Sequence, residues 1–148
     1  MGLFMTIAIN KMVPGVPGAV DCSGALIRAQ CRHLATVIKI RGEIDAVNID
    51  QVAEYVRRFV LSDSPIVLDL SDLSHFSSAG ISLFCVLDEE CRAAGVEWTI
   101  VANPAVKALL GEPETFPVAR SVPAALRHLS DAIAWRRRQV LELVKKSA

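Results

Sequence analysis

The spacing of apolar positions changes character along the chain, and each change marks an element. In "ALIRAQCRHLATVIKIRG" (25 to 42) it predicts two β-type stretches, Ala25 to Arg32 and Ala35 to Arg41, the second stronger because Val37, Ile38 and Ile40 are β-branched. So short a gap between them predicts a hairpin. After Gly42 the period lengthens: Ile49, Val52, Ala53, Val56, Phe59 and Val60 recur at helical spacing, with Asp50, Glu54 and Arg57 on the opposite face. Asp45 or Asn48 is expected to cap that helix, since a short side-chain oxygen accepts from the first free backbone N–H groups. "PIVLDL" (65 to 70) is apolar apart from Asp69 and predicts a strand covered on both faces.

A second helix is predicted from Ser78 to Ala94. Gly80, Phe84, Leu87, Cys91 and Ala94 form its apolar stripe, Ser78, Ser82, Cys85, Glu89 and Arg92 recur on the other side, and Gly95 closes it. "VEWTIVA" (96 to 102) predicts a strand, "NPAVKALL" (103 to 110) a short helix capped by Asn103 with Pro104 at its first position, and "TFPVA" (115 to 119) a short extended piece. Ser121 and Pro123 start a last helix along which Leu126, Leu129 and Ile133 line up. Strands alternating with helices in this order imply an α/β fold with parallel crossover units. "VPGVPGAVDCSG" (13 to 24), dense in Pro and Gly, is expected to lie outside the core. The domain then spans 25–135, between a flexible lead-in, 1–24, and a basic helical tail, 136–148.

Composition narrows this picture. At 148 residues a single core suffices, and with 52% hydrophobic but only 5% aromatic residues it is built mainly from Val, Ile, Leu and Ala. Formal charge is zero yet unevenly placed: Arg136, Arg137, Arg138, Lys145 and Lys146 against Glu142 give the last sixteen residues a net +4, leaving −4 on the rest. Such a body lacks the positive field on which nucleic-acid binding rests, so no nucleic-acid partner is expected. Cys22, Cys31, Cys85 and Cys91 contain no C-x-x-C pair, and His33, His75 and His128 are scattered. Reduced, mostly buried thiols are expected, with no metal and no other cofactor. No stretch approaches the ~18 apolar residues of an integral membrane segment, and "MGLFMTIAIN" has no basic region of the secretory kind, so the expected compartment is the cytoplasm.

The candidate chemistry sits where "VLDLSDLSHFSSAGISLF" (67 to 84) joins strand to helix. A helix start leaves backbone N–H groups free beside the positive end of the helix dipole, so whatever sits there is exposed and suited to an anion. A capping role for Ser77 explains one serine but not its neighbour. A nucleophile elbow needs G-x-S-x-G, and Phe76 occupies the first of those positions relative to Ser78; a Walker loop is absent. No enzymatic activity is expected. Phosphorylation of Ser78 would instead add about −1.5 to −2 charge at the helix head, tolerated within the protein and unfavourable across an interface built for a neutral hydroxyl.

"VIKIRGEIDAVNIDQVAEYV" followed by "IVLDLSDLSHFSSAGISLF" resembles the bacterial STAS domain, in the branch of anti-sigma factor antagonists. The strand ending in G-E-I-D, the V-L-D-L-S strand, and the serine followed by a small residue and Gly carry the likeness, which runs from about Ala35 to about Leu110. What the resemblance implies is a small mixed β-sheet of four to five strands flanked by four to five helices, and a function by partner switching. The unmodified protein binds an anti-sigma factor, often a serine kinase, and phosphorylation of the serine at Ser78 releases it. The family usually places Asp before that serine; here Ser77 stands there and is the alternative acceptor. Asp45, Ser77, Ser78, Ser82, Cys85 and Glu89 are the expected partner-binding residues, and Asp69 is expected to bond the junction backbone and position Ser78. A phosphorylation-independent scaffold is the second expectation, in which Val140, Leu141 and Val144 of the tail support a homodimer or a contact with another STAS protein.

Overall fold

The computed structural model describes residues 11–12, 18–32, 34–111 and 115–147. The chain forms β1 (Lys11–Met12), β2 (Ala19–Cys22), β3 (Ala25–Cys31) and β4 (Thr36–Ile44), then α1 (Ile49–Val60), β5 (Ile66–Asp69) and β6 (Leu73–Phe76). A 3-10 turn (Ser78–Gly80) leads into α2 (Ile81–Ala94), followed by β7 (Trp98–Val101), α3 (Pro104–Leu110), β8 (Val118–Ala119) and α4 (Val122–Ser147). The strands make one mixed sheet in the order β1-β2-β3-β4-β5-β7-β8, antiparallel through β4 and parallel from β4 onward. The short β6 lies off this path, parallel to the far end of β4.

The α/β class, the β3–β4 hairpin and the four helices agree with the sequence pattern, and the strand number is higher than expected. Two strands account for most of the excess. Ala19–Cys22 was expected outside the core, yet it pairs antiparallel with β3 and buries Ala19, Val20 and Cys22. Its turn is Ser23–Gly24, both with positive φ (50° and 106°), the geometry of a two-residue hairpin whose twist matches its strands. The second, β6, occupies residues expected to be a bare junction. It pairs with the end of β4, from Gly42 to Ile44, where β4 runs past β5, and Asn103 Nδ2 donates to Leu73 O at 3.0 Å.

Two cores follow from the alternation of side chains along the strands. On one face Ile27, Ile38, Ile40, Ile66, Leu68 and Ile100 pack under α1 and α2 with Val52, Val56, Leu83, Phe84 and Leu87. On the other, Val37, Val67, Val101 and Ala119 pack under the first half of α4 through Ala124, Ala125 and Leu129. The predicted α2 stripe is corrected in two places: Leu83 belongs to it and Ala94 is exposed. Among the described residues no helix is long and apolar enough to cross a membrane.

Candidate functional site

Parallel pairing of Ile44 with Phe76 brings the ends of β4 and β6 side by side. Asp45 therefore starts its loop next to Ser77, and the Ser77 N–H donates to Ile44 O at 2.9 Å. The two regions that the sequence flagged, far apart in number, form one edge of the sheet.

The loop after β4 is closed by reciprocal hydrogen bonds. Asp45 Oδ1 accepts from the N–H groups of Val47 (2.9 Å) and Asn48 (3.1 Å), while Asn48 Oδ1 accepts from Asp45 N–H (3.0 Å). Asp45 thus caps the turn entering α1, and Asn48, which stands at the helix N-cap without a side-chain capping bond, is buried. Its Nδ2 donates to Glu43 O (2.8 Å) and Ser23 O (3.2 Å), tying the β2–β3 turn and the end of β4 to α1. Val47 is the tip of this loop and is 82% exposed. Sequence patterning gave Val47 no role, because an isolated apolar residue in a loop belongs to no period.

The second half of the edge is the Ser77–Gly80 turn. Gly80 N–H donates to Ser77 O at 2.9 Å, and the glycine lies on the Phe76 ring, where a Cβ would fall 2.4 Å from Cε1. Phe76 in turn stacks on Phe84, with centroids 5.5 Å apart. This packing holds the two serines differently. Ser77 Oγ is buried and has no hydrogen-bond partner among the described residues, whereas Ser78 is exposed. Neither hydroxyl is bonded to a histidine or carboxylate among the described residues, so the general base that a nucleophilic serine requires is not in contact with them.

Below the turn, Ser82, Cys85 and Glu89 are exposed along one side of α2, continuing the line from Ser78. The Ser82 hydroxyl donates to Ala79 O at 2.9 Å and steadies the first turn. Arg57 of α1 pairs with Glu90 at 2.8 Å, bracing the two helices that carry the edge. Asp69 does not do what the sequence suggested: its Oδ1 accepts from Ser71 N–H (3.1 Å) and Ser71 Oγ (2.6 Å), so it shapes the turn into β6 rather than the serine junction. The thiols divide evenly, Cys22 and Cys91 buried, Cys31 and Cys85 exposed. Burial, helped by nearby carboxylates, pushes both Cys22 and Cys91 up to about 11, so they stay protonated at neutral pH.

Comparison with known proteins agrees with this architecture. The STAS domain family model matches residues 27–114. Osmosensory protein A of Mycobacterium tuberculosis is 61% identical over 155 aligned positions, covering 97% of this chain and 98% of that protein. Among solved structures, an anti-sigma factor antagonist from Mycobacterium paratuberculosis superposes with a TM-score of 0.61 at 23% identity, over 70% of this chain and 92% of that one. RsbS of Moorella thermoacetica carrying a serine-to-glutamate substitution gives a TM-score of 0.61 at 14% identity, over 73% and 97%. The fold, the order of its motifs and the extent of the family match together establish that this chain belongs to the STAS domain family.

Proposed function

We propose that the chain is an anti-sigma factor antagonist that works by partner switching. Unmodified, it binds an anti-sigma factor of the serine-kinase type through Asp45, Val47, the Ser77–Gly80 turn and the Ser82, Cys85, Glu89 line; phosphorylation of Ser78 ends the complex. The observation that carries this reading is the contrast between the serines, one hydroxyl buried and one presented to solvent, in a turn tied at Ser77 to Ile44, just ahead of the loop whose exposed tip is Val47. A kinase reaches Ser78 without opening the turn, and it cannot reach Ser77 in that way. The added charge would then face a partner surface that had met a hydroxyl and Val47, and a penalty near 2.7 kcal/mol weakens binding about a hundredfold. The relative's name, osmosensory protein, suggests the input, and we carry it to this chain as osmotic stress setting the phosphorylation state.

The test is a pull-down from the source organism with wild type, Ser78→Ala, Ser78→Glu and Val47→Asp. Wild type and Ser78→Ala are expected to retain an anti-sigma factor that the other two lose by about a hundredfold. If all four capture the same set, the edge is not the binding surface.

A second reading, self-association, is favoured by α4. Past Arg136, which pairs with Glu97 just before β7, the helix continues eleven residues, about 16 Å, with Val140, Leu141 and Val144 more than half exposed. Light scattering after size exclusion tests it. A dimer that becomes a monomer when residues 136–148 are deleted supports the reading; a wild-type monomer, or a dimer that survives the deletion, ends it.

A further inference from the structure

α4 covers β5, β7 and β8, and among the described residues no helix covers the same face of β2, β3 and the far half of β4. The side chains on that uncovered face include Ala19, Leu26, Arg28, Gln30, Arg32, Lys39 and Arg41, with Asp21 of β2 opposite Leu26 as a carboxylate among them. Register places Arg28 directly opposite Lys39, and Leu26 opposite Arg41. Like charges in direct cross-strand opposition are destabilising, so the sheet carries a cost here that packing does not explain. Lys39 relieves part of it by pairing with Asp72 at 2.7 Å. Arg28, Arg32 and Arg41 have no ion-pair partner among the described residues. Hydrogen bonding and charge from Lys39, with Arg41 adding to them, hold the Asp72 carboxyl below its ordinary range, as expected beside a surplus of cations.

The face is concave. A hollow of about 230 Å³ is lined by Arg28, Gln30, Arg32, Val37, Lys39, Asp69 and the first residue of α4, Val122; it adjoins one of about 160 Å³ bounded by Ala19, Leu26, Arg28, Lys39 and Arg41. Asp69, opposite Lys39 on β5 and held by Ser71, sets a negative charge beside Lys39, so the cations of the lining left without a carboxylate in contact among the described residues are Arg28 and Arg32. We infer that this face is a second docking surface, separate from the Ser78 edge, which receives an extended, carboxylate-rich segment of a partner protein. The cations run in two rows with the strands: Arg28 in β3 and Arg32 just past its end stand about 13 Å apart, Lys39 and Arg41 about 7 Å apart along β4. An extended chain presents alternate side chains at that same repeat, so carboxylates at every second or fourth position meet successive cations. A flat bilayer is held off by α4, which stands beside the hollow.

The experiment is a two-dimensional amide NMR titration of the full chain at low salt with a synthetic hexaglutamate peptide, repeated with inorganic pyrophosphate. The expected result is saturating shifts over residues 26–32 and 37–41, weakened by added salt. Arg28→Glu with Arg32→Glu weakens the peptide by at least about tenfold while the remaining amides keep their wild-type positions. Arg137→Glu with Arg138→Glu, in the basic tail, leaves it unchanged. Shifts that gather on the tail or on α1 and α2, a double variant that binds like wild type, or pyrophosphate saturating the same amides at lower concentration than the peptide would each overturn the inference. None of these outcomes bears on the Ser78 edge, which lies with α1 and α2 across the sheet.

Discussion

Asn48→Ala is expected to lower the stability of the folded protein by about 3 to 5 kcal/mol, since each part-buried group that loses its partner costs about 0.5 to 1.5 kcal/mol and the emptied site adds to that. Three groups lose theirs at once: the Asp45 N–H and the carbonyl oxygens of Glu43 and Ser23. Alanine also leaves a gap at a position with 0% exposure, into which the β2–β3 turn and the start of α1 cannot both relax. For a chain of this size the melting temperature should fall by about 10 °C or more. Asn48→Asp separates hydrogen bonding from volume. It keeps the shape and the acceptor for Asp45 N–H, but turns an oxygen toward two carbonyl oxygens, and it should be at least as destabilising as alanine. Thermal melts of the three proteins check this; an Asn48→Asp variant as stable as wild type would mean that the donated bonds to Ser23 and Glu43 contribute nothing.

Asn48 also shows where sequence reading stops. It was visible as one of two candidate caps, because a short polar side chain before a helical period is a local signal. Its actual partners at residues 23 and 43 are not local, and nothing in the period of α1 points to them. The same division runs through the fold. Long stretches with a clear period, β3, β4, α1 and α2, were legible, as were the Asn103 cap, whose Oδ1 accepts from Val106 N–H at 2.9 Å, and the left-handed Gly95 that ends α2. Short strands were not. "LSHF" contains no β-branched residue, and its strand state derives from pairing with the end of β4. "AVDC" was masked by the Pro and Gly before it, although its Ser23–Gly24 turn carried a readable hairpin signal. At the site, the helical spacing of Ser78, Ser82, Cys85 and Glu89 was readable. The difference between Ser77 and Ser78 was not, because it is set by Phe76 and Gly80 packing beneath the turn.

The remaining large effect concerns Gly42, which the sequence marked only as the point where one period gives way to another. It has φ +92°, a conformation that side chains rarely adopt, and a Cβ there would lie 2.3 Å from Gly24 O. That oxygen cannot move aside, because it accepts from Glu43 N–H at 3.1 Å. The register between β4 and β6 shifts at this residue, from Gly42 opposite Leu73 to Glu43 opposite His75, and the irregularity turns the end of β4 toward β6. Gly42→Ala must therefore strain the backbone, part the β3–β4 pair at Gly24, or abolish the shift. Positive-φ strain alone costs about 1 to 3 kcal/mol, and an immovable backbone contact adds to it, so a loss of about 3 kcal/mol or more is expected in chemical denaturation. The effect should reach the serines: Ser77 is tied to Ile44 O, two residues beyond the bulge, so a displaced β4 end moves the Ser77–Gly80 turn away from the Asp45 loop. Amide NMR of Gly42→Ala should show shifts at Ser77, Ser78 and Gly80 as large as those at Gly24 and Glu43. A variant that loses stability while its serine turn keeps wild-type shifts would mean that the bulge supports the fold without setting the geometry of the site.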